Sequence, residues 1–285
     1  MLFRHMFFKD YSPRILFILL ICCVFQSKIS HAQGDLLIYP KRVVFEGPIR
    51  SQDLNLANTG KDTARYLLSV IQIRMKEDGS FESITEPDPG QNFADKYFRI
   101  FPRNVVLPPN EAQTVKVQLY NTGELIPGEY RSHLYVRAEA QKSPLGEVEP
   151  ETDSTSLSIK LVAVFGISIP VIIRTGDNTT GITISDLSLE KTDKNEATIK
   201  FNCNRSGNMS AYGDFTVNYI SPEGKTIKVG SANGMAIYAP ITKRIFNLPI
   251  TPLPGVDLQK GSLQVVYSYG STKDEKMAKE NLVLR

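Results

Sequence analysis

The chain has 285 residues, no Trp, three Cys and three His, with 41% apolar and 22% charged residues and a formal net charge of +3. That composition excludes a disordered chain and a cysteine-stapled miniprotein, and the length accommodates about two domains, each with its own core. The small positive charge carries no nucleic-acid signal.

The first 32 residues read as an export signal. Arg4, Lys9 and Arg14 precede an apolar stretch, 15–25, that is too short to span a bilayer, and Ser30-His31-Ala32 supplies a small-x-small cleavage pattern. Cleavage after Ala32 is expected, with an uncleaved membrane anchor as the alternative. It removes four basic groups (Arg4, Lys9, Arg14, Lys28) and one acidic group (Asp10), which leaves 29 of each sign. Cys22, Cys23, His5 and His31 leave as well, so the mature chain keeps only Cys203 and His133 of those residue types. A single thiol excludes an internal disulfide. No His pair, no Cys/His cluster and no Gly-rich phosphate loop remains, so neither a metal nor a cofactor is expected, and the chain is expected not to be an enzyme.

The mature sequence predicts an all-β protein. Leu36 to Phe45 is a first strand, and Leu54 and Leu56 mark a second that ends at Asn58-Thr59-Gly60. Tyr66 to Met75 is a third, closed by the turn residues Glu77-Asp78-Gly79. Extended structure resumes from Ile100 to Leu107, turns at Pro108-Pro109-Asn110, and continues with Val115, Val117 and Leu119 on one face; Tyr130 to Ala138 follows. Short strands joined by turns every ten or so residues are the pattern of a two-sheet sandwich of immunoglobulin type. Residues 139–155, rich in acids with Pro144, Gly146 and Pro150, predict a surface loop.

The next segment is the most unusual in the chain. From Leu157 to Ile173, residues Leu157, Ile159, Leu161, Ala163, Phe165, Ile167 and Ile169 share one face, and at about 3.3 Å per residue one such strand would exceed 50 Å. A strand longer than its partners leaves an apolar edge without neighbours, an aggregation hazard unless the edge is meant to be occupied, and Pro170 suits an edge. The alternative is two conventionally buried strands with a kink near Gly166. Residues 174–180 have linker composition. Beyond them, alternating faces begin at Ile182 and Ile184 and recur at Ala197 to Cys203, Phe215 to Tyr219, Phe246 to Ile250 and Leu263 to Tyr267, enough for a second sandwich. The expected organisation is a signal peptide over 1–32, an immunoglobulin-like domain over 33–175 that includes the long strand, and a C-terminal β-sandwich over 176–285.

Several segments of the first domain resemble the periplasmic chaperones of the chaperone-usher pathway, particularly the archaic or alternative branch. Pro40-Lys41-Arg42-Val43-Val44-Phe45-Glu46-Gly47 resembles their first strand. Phe101-Pro102-Arg103 through Pro108-Pro109-Asn110-Glu111 to Val115-Lys116-Val117 is similar to a later strand pair, and Gly128 to Ala138 to their sixth strand. The long strand follows in the expected position. The resemblance implies two sandwich domains in a boomerang arrangement and a function in pilus or fimbria biogenesis. Such a chaperone stabilises an incomplete subunit by donor-strand complementation, lending its own strand to complete the subunit's sheet, and delivers it to an outer-membrane usher. The partners implied are pilin or fimbrial subunits, the usher, and a second copy of the chain through the free edge; neither nucleic acid nor, after signal cleavage, a membrane is implied. The implied location is the periplasm. A secreted or cell-surface adhesion module of two immunoglobulin-like domains is the alternative, and a hydrolase using paired carboxylates a more distant one.

Under this resemblance Leu157, Ile159, Leu161, Ala163 and Phe165 would be the donor residues. Arg42 matches the arginine that anchors the subunit's C-terminal carboxylate, a task suited to a guanidinium fork. The second anchor in the resembled proteins is a lysine on the long strand. None stands between Lys160 and Arg174 here, and the register places Ser168 at that position. His133 is expected to be structural or superficial, Cys203 a small core residue, and the acidic residues 147–153 a solvated loop, with calcium binding as its alternative.

Overall fold

The computed structural model describes residues 36–139, 166–191, 197–251, 253–271 and 274–284. The export segment, nearly all of the loop at 139–155 and the five donor residues Leu157, Ile159, Leu161, Ala163 and Phe165 therefore lie outside the described residues. Residues 36–285 group as one compact unit.

Among the described residues, eleven strands precede residue 176, nine of them in the two sheets of the first sandwich and two in a separate hairpin. The expected first strand is two: β1 (Leu36–Tyr39) and β2 (Val43–Phe45) belong to different sheets. Pro40 stands between them, and with no N–H it cannot extend the ladder, so the chain leaves one sheet there and joins the other. β3 (Ser51–Asn58) is followed by β4 (Ala64–Ile71), and the expected Tyr66–Met75 strand divides again, into β4 and β5 (Ile73–Met75). β5 pairs with β6 (Phe81–Ser83) about the predicted turn, where Gly79 takes φ +83° and Asp78 accepts hydrogen bonds from the backbone N–H and hydroxyl of Ser80. β7 (Phe98–Phe101) and β8 (Asn104–Leu107) switch sheets across Pro102, and β9 (Ala112–Leu119), β10 (Gly128–Ala138) and β11 (Gly166–Thr175) complete the set.

Two sheets result, ordered β1-β3-β9-β7 and β2-β11-β10-β4-β8. Period-2 alternation fills the space between them: Leu54, Leu56, Val115 and Val117 from one side meet Leu68, Leu134, Val136, Val171 and Ile173 from the other. The Asn58 side chain, buried in this core, donates to the carbonyls of Asp62 and Leu107 and accepts from the Gly60 N–H. It thereby ties the predicted turn at 58–60 to the corner at 108–110 and satisfies its own polar atoms.

The second sandwich consists of β12 (Gly181–Lys191), β13 (Ala197–Ser206), β14 (Ala211–Ile220), β15 (Thr226–Ile237), β16 (Lys243–Ile250), β17 (Ser262–Ser271) and β18 (Asp274–Val283). β15 and β18 carry too little apolar alternation to stand out in the sequence. The sheets run β12-β13-β16 and β15-β14-β17-β18. An aromatic stack lies between them, with Phe201 and Phe215 ring centroids 5.1 Å apart and Phe215 and Tyr267 4.3 Å apart. Cys203 is buried in this core, as expected, and burial pushes its thiol pKa up to about 12.

A third, smaller cluster joins the sandwiches. Met75 and Ile172 from the first pack with Ala236 and Tyr238 from the second, flanked by Val44 and Tyr212. The β5–β6 turn reaches across as well: the Ile245 N–H donates to the Glu77 carbonyl at 2.7 Å, and Lys243 pairs with Glu77 at 3.0 Å.

Candidate functional site

The site grows out of the strand register. β11 pairs antiparallel with β10 along its whole described length, Arg137 lying opposite Gly166 and Gly128 opposite Thr175. On its other side it pairs with β2, in parallel, only at Val171, Ile172 and Ile173. From Gly166 to Pro170 that outer side has no partner strand among the described residues. Continuing the parallel register by one residue brings Arg42 level with Pro170. The open edge therefore ends beside Arg42.

Alternation decides what each strand shows to the second sandwich. Val43, Phe45, Val171 and Ile173 point into the core, so their neighbours Arg42, Val44, Glu46, Ile172 and Arg174 point out, as do Glu129, Arg131 and His133 of β10. The three strands lay these side chains out in rows. Glu46, Arg174 and Glu129 form one row, Val44, Ile172 and Arg131 the next, and Arg42, Pro170 and His133 the last.

The first row is an ion network. Arg174 donates through Nε to Glu129 at 2.9 Å, through one terminal nitrogen to Glu46 at 2.9 Å, and through the other to the Ser210 carbonyl of the second sandwich at 2.8 Å. Glu129 is buried and also accepts from the Ser210 N–H at 3.0 Å and from the Ser210 hydroxyl. Burial alone would lower the Arg174 pKa, but the Glu129 charge and the hydrogen bonds to Glu46 and Glu129 outweigh it and raise it. Arg174, expected within a linker, is instead a strand residue that fastens the sandwiches together.

The remaining rows are less compensated. Arg131 donates to the carbonyls of Ile73 at 3.4 Å and Ala239 at 3.1 Å and lies 4.4 Å over the Tyr238 ring. His133 is 2% exposed, its ring 5.9 Å from that of Phe81 and 6.0 Å from that of Tyr238. Burial, aided by the Arg131 charge, lowers its pKa to about 3, so it is a neutral structural residue. Arg42 is half-buried, with its guanidinium 3.9 Å over the Tyr212 ring; its Nε has no hydrogen-bond partner, and no carboxylate among the described residues is within ion-pair distance. Desolvation lowers its pKa from the ordinary value, and the neighbouring Arg174 charge contributes.

Arg42 and Arg174 open onto a cleft of about 570 Å³ between the sandwiches, together with Glu46, Asn178, Thr180, Ser210, Tyr212 and Lys276. Three cations and one carboxylate line it, and Arg174 neutralises the carboxylate. The cleft suits a small anionic group. Among the described residues no group of His, Cys, Asp and Glu could hold a metal ion, and no helix is long and apolar enough to cross a membrane.

No protein-family model and no curated protein matches the chain. Solved structures do. A YadV chaperone is 13% identical and covers 87% of this chain and 100% of its own, with a TM-score of 0.45. The CsuC–CsuE chaperone–tip adhesion subunit pre-assembly complex, from archaic chaperone-usher Csu pili of Acinetobacter baumannii, is 11% identical over 86% of this chain and 97% of its own, at 0.43. A chaperone–tip adhesin complex of CFA/I fimbriae is 14% identical over 88% and 99%, at 0.42. The chain is similar to these chaperones.

Of the residues singled out in the sequence, Arg42 lies in the cleft. Ser168 does not: it is exposed, opposite Tyr135 in the open part of β11, and six residues from Arg174, which is about 20 Å along a strand. Glu129, Ser210, Tyr212 and Lys276 escaped sequence reasoning. The alternation Glu129-x-Arg131-x-His133 was legible as a polar strand face, but a polar face ordinarily means solvent.

Proposed function

We propose that this protein is a non-enzymatic periplasmic chaperone that binds incomplete pilus or fimbrial subunits and passes them to an outer-membrane usher. The observation that carries the reading is the open edge of β11 from Gly166 to Pro170, ending beside a half-buried arginine that has no carboxylate partner among the described residues. An extended segment added along that edge gains main-chain hydrogen bonds, and one that terminates at the cleft presents its C-terminal carboxylate to Arg42.

In this reading the chain preceding Gly166 continues the strand, and Leu157, Ile159, Leu161, Ala163 and Phe165 fill the groove left by the subunit's missing strand. Burying the four large side chains among them contributes roughly 6 to 12 kcal/mol gross, offset by the cost of ordering both partners. Nucleotide hydrolysis is not required. In the same reading residues 1–32 are a cleaved export signal, the mature protein works in the periplasm, and its domains divide near residue 175.

The test is recovery of a small β-rich subunit with the tagged chaperone from periplasmic extracts of the native host. Arg42→Ala and the double change Ile159→Asp/Leu161→Asp are each expected to abolish recovery while circular dichroism remains that of the folded chaperone. Undiminished recovery with both variants refutes the assignment.

A further inference from the structure

We infer that Lys276, on β18 of the second sandwich, is the second cation of the carboxylate site, so that the anion is clamped between the two sandwiches rather than held by the first alone. The inference rests on the chaperone reading and adds to it the residue that β11 does not supply.

β11 has no cation to spare. Ser168 lies outside the cleft, and the Arg174 charge is already paired with two carboxylates, Glu129 and Glu46, while its other terminal nitrogen donates to the Ser210 carbonyl. Two other cations face the cleft without forming an ion pair among the described residues, Arg42 and Lys276. Lys276 is half-buried opposite Tyr269 on β17, and its Nζ donates to the Thr180 carbonyl at 3.2 Å. That bond holds the ammonium at the cleft wall and leaves two of its three donors for an acceptor. Arg42 also contacts the second sandwich, its guanidinium carbon 3.9 Å from the centroid of the Tyr212 ring of β14.

With Arg174 paired to Glu46 and Glu129, the cleft offers two cations, Arg42 and Lys276, that form no ion pair among the described residues, and an entering carboxylate is the charge they lack. The guanidinium belongs to the first sandwich and the ammonium to the second, so a carboxylate held by both makes recognition depend on both sandwiches.

Two fluorescein-labelled octapeptides of alternating Thr and Val, one ending in a free carboxylate and one in a carboxamide, provide the probe, with binding to the full chain read by fluorescence anisotropy. Wild type is expected to prefer the acid by about tenfold, the scale of one charge-assisted contact. Lys276→Met should reduce the preference to about threefold or less, as should Arg42→Met, whereas Lys276→Arg retains it. Lys279→Met, which removes an exposed charge from the same strand, should leave it unchanged. If Lys276→Met keeps the full preference while Arg42→Met loses it, the clamp is overturned and the chaperone reading stands. If wild type does not distinguish acid from amide, the carboxylate site and the clamp fail together; if neither peptide binds, the open-edge reading fails.

Discussion

Acidification should weaken the fold through one residue, His133. The buried ring packs against Phe81 and Tyr238 beside the Arg131 guanidinium, and its pKa falls from 6.5 to about 3. The unfolded chain takes up a proton as pH falls through 6.5, while the native chain does not until about pH 3. Between these values the unfolded state binds more protons, so the stability is present above pH 6.5 and drains away below it. For these two pKa values the loss between about pH 7.5 and pH 5 is about 2 kcal/mol, approaching 4 to 5 kcal/mol near pH 3. The first figure is insensitive to the native pKa so long as that stays well below 5. Urea unfolding followed by far-UV circular dichroism measures it. His133→Phe serves as the reference, since it keeps an aromatic ring and removes the Nδ1 atom that has no hydrogen-bond partner. The variant should lose about 2 kcal/mol less than wild type over that interval, the carboxylates titrating alike in both. Equal losses, to within about 0.5 kcal/mol, would refute the argument that the imidazole is buried neutral.

Two other perturbations test the interface and the second core. Glu129→Gln keeps the shape of the side chain but removes the buried charge from Arg174. Glu46 retains part of the pairing, so the expected cost is about 2 to 3 kcal/mol, below the usual figure for breaking a buried pair, and a double-mutant cycle with Arg174→Met should show coupling of at least about 1 kcal/mol. Additive effects in that cycle would contradict the network. Cys203, its thiol pKa pushed to about 12 by burial, should not react with an aromatic disulfide reagent at about pH 8 in the native protein and should react fully after denaturation. Labelling of the native protein would show that the second core opens.

One strand face does most of the positioning. β10 is buried on both sides through its first seven residues, one side against its own sandwich and the other against the second. It therefore presents Glu129, Arg131 and His133 where water would ordinarily be, and each is provided for differently: an ion network with Ser210, carbonyl acceptors under a tyrosine ring, and loss of the proton. The same covering leaves Arg42 with an aromatic ring for a neighbour and no counter-ion among the described residues, which gives the cleft its appetite for an anion.

Period-2 alternation and turn residues determined much of this protein without further help. They gave it an all-β fold and placed the turns at 58–60, 77–79 and 108–110. They also set which side chains face each core: Leu54 and Leu56, Val115 and Val117, Phe201 and Cys203, Phe215 and Val217. Those features are local, because a side chain's direction in a strand follows from its neighbours and a turn from its own φ values. Which polar faces stay wet is not local. Arg174 carries linker composition and Glu129 the look of a solvated strand residue. They become an interior ion network only because the second sandwich brings Ser210 onto the face they share. The division of 36–45 between two sheets and the pairing of Arg42 with Tyr212 likewise depend on partners distant in the chain, and only the assembled tertiary structure brings those partners together.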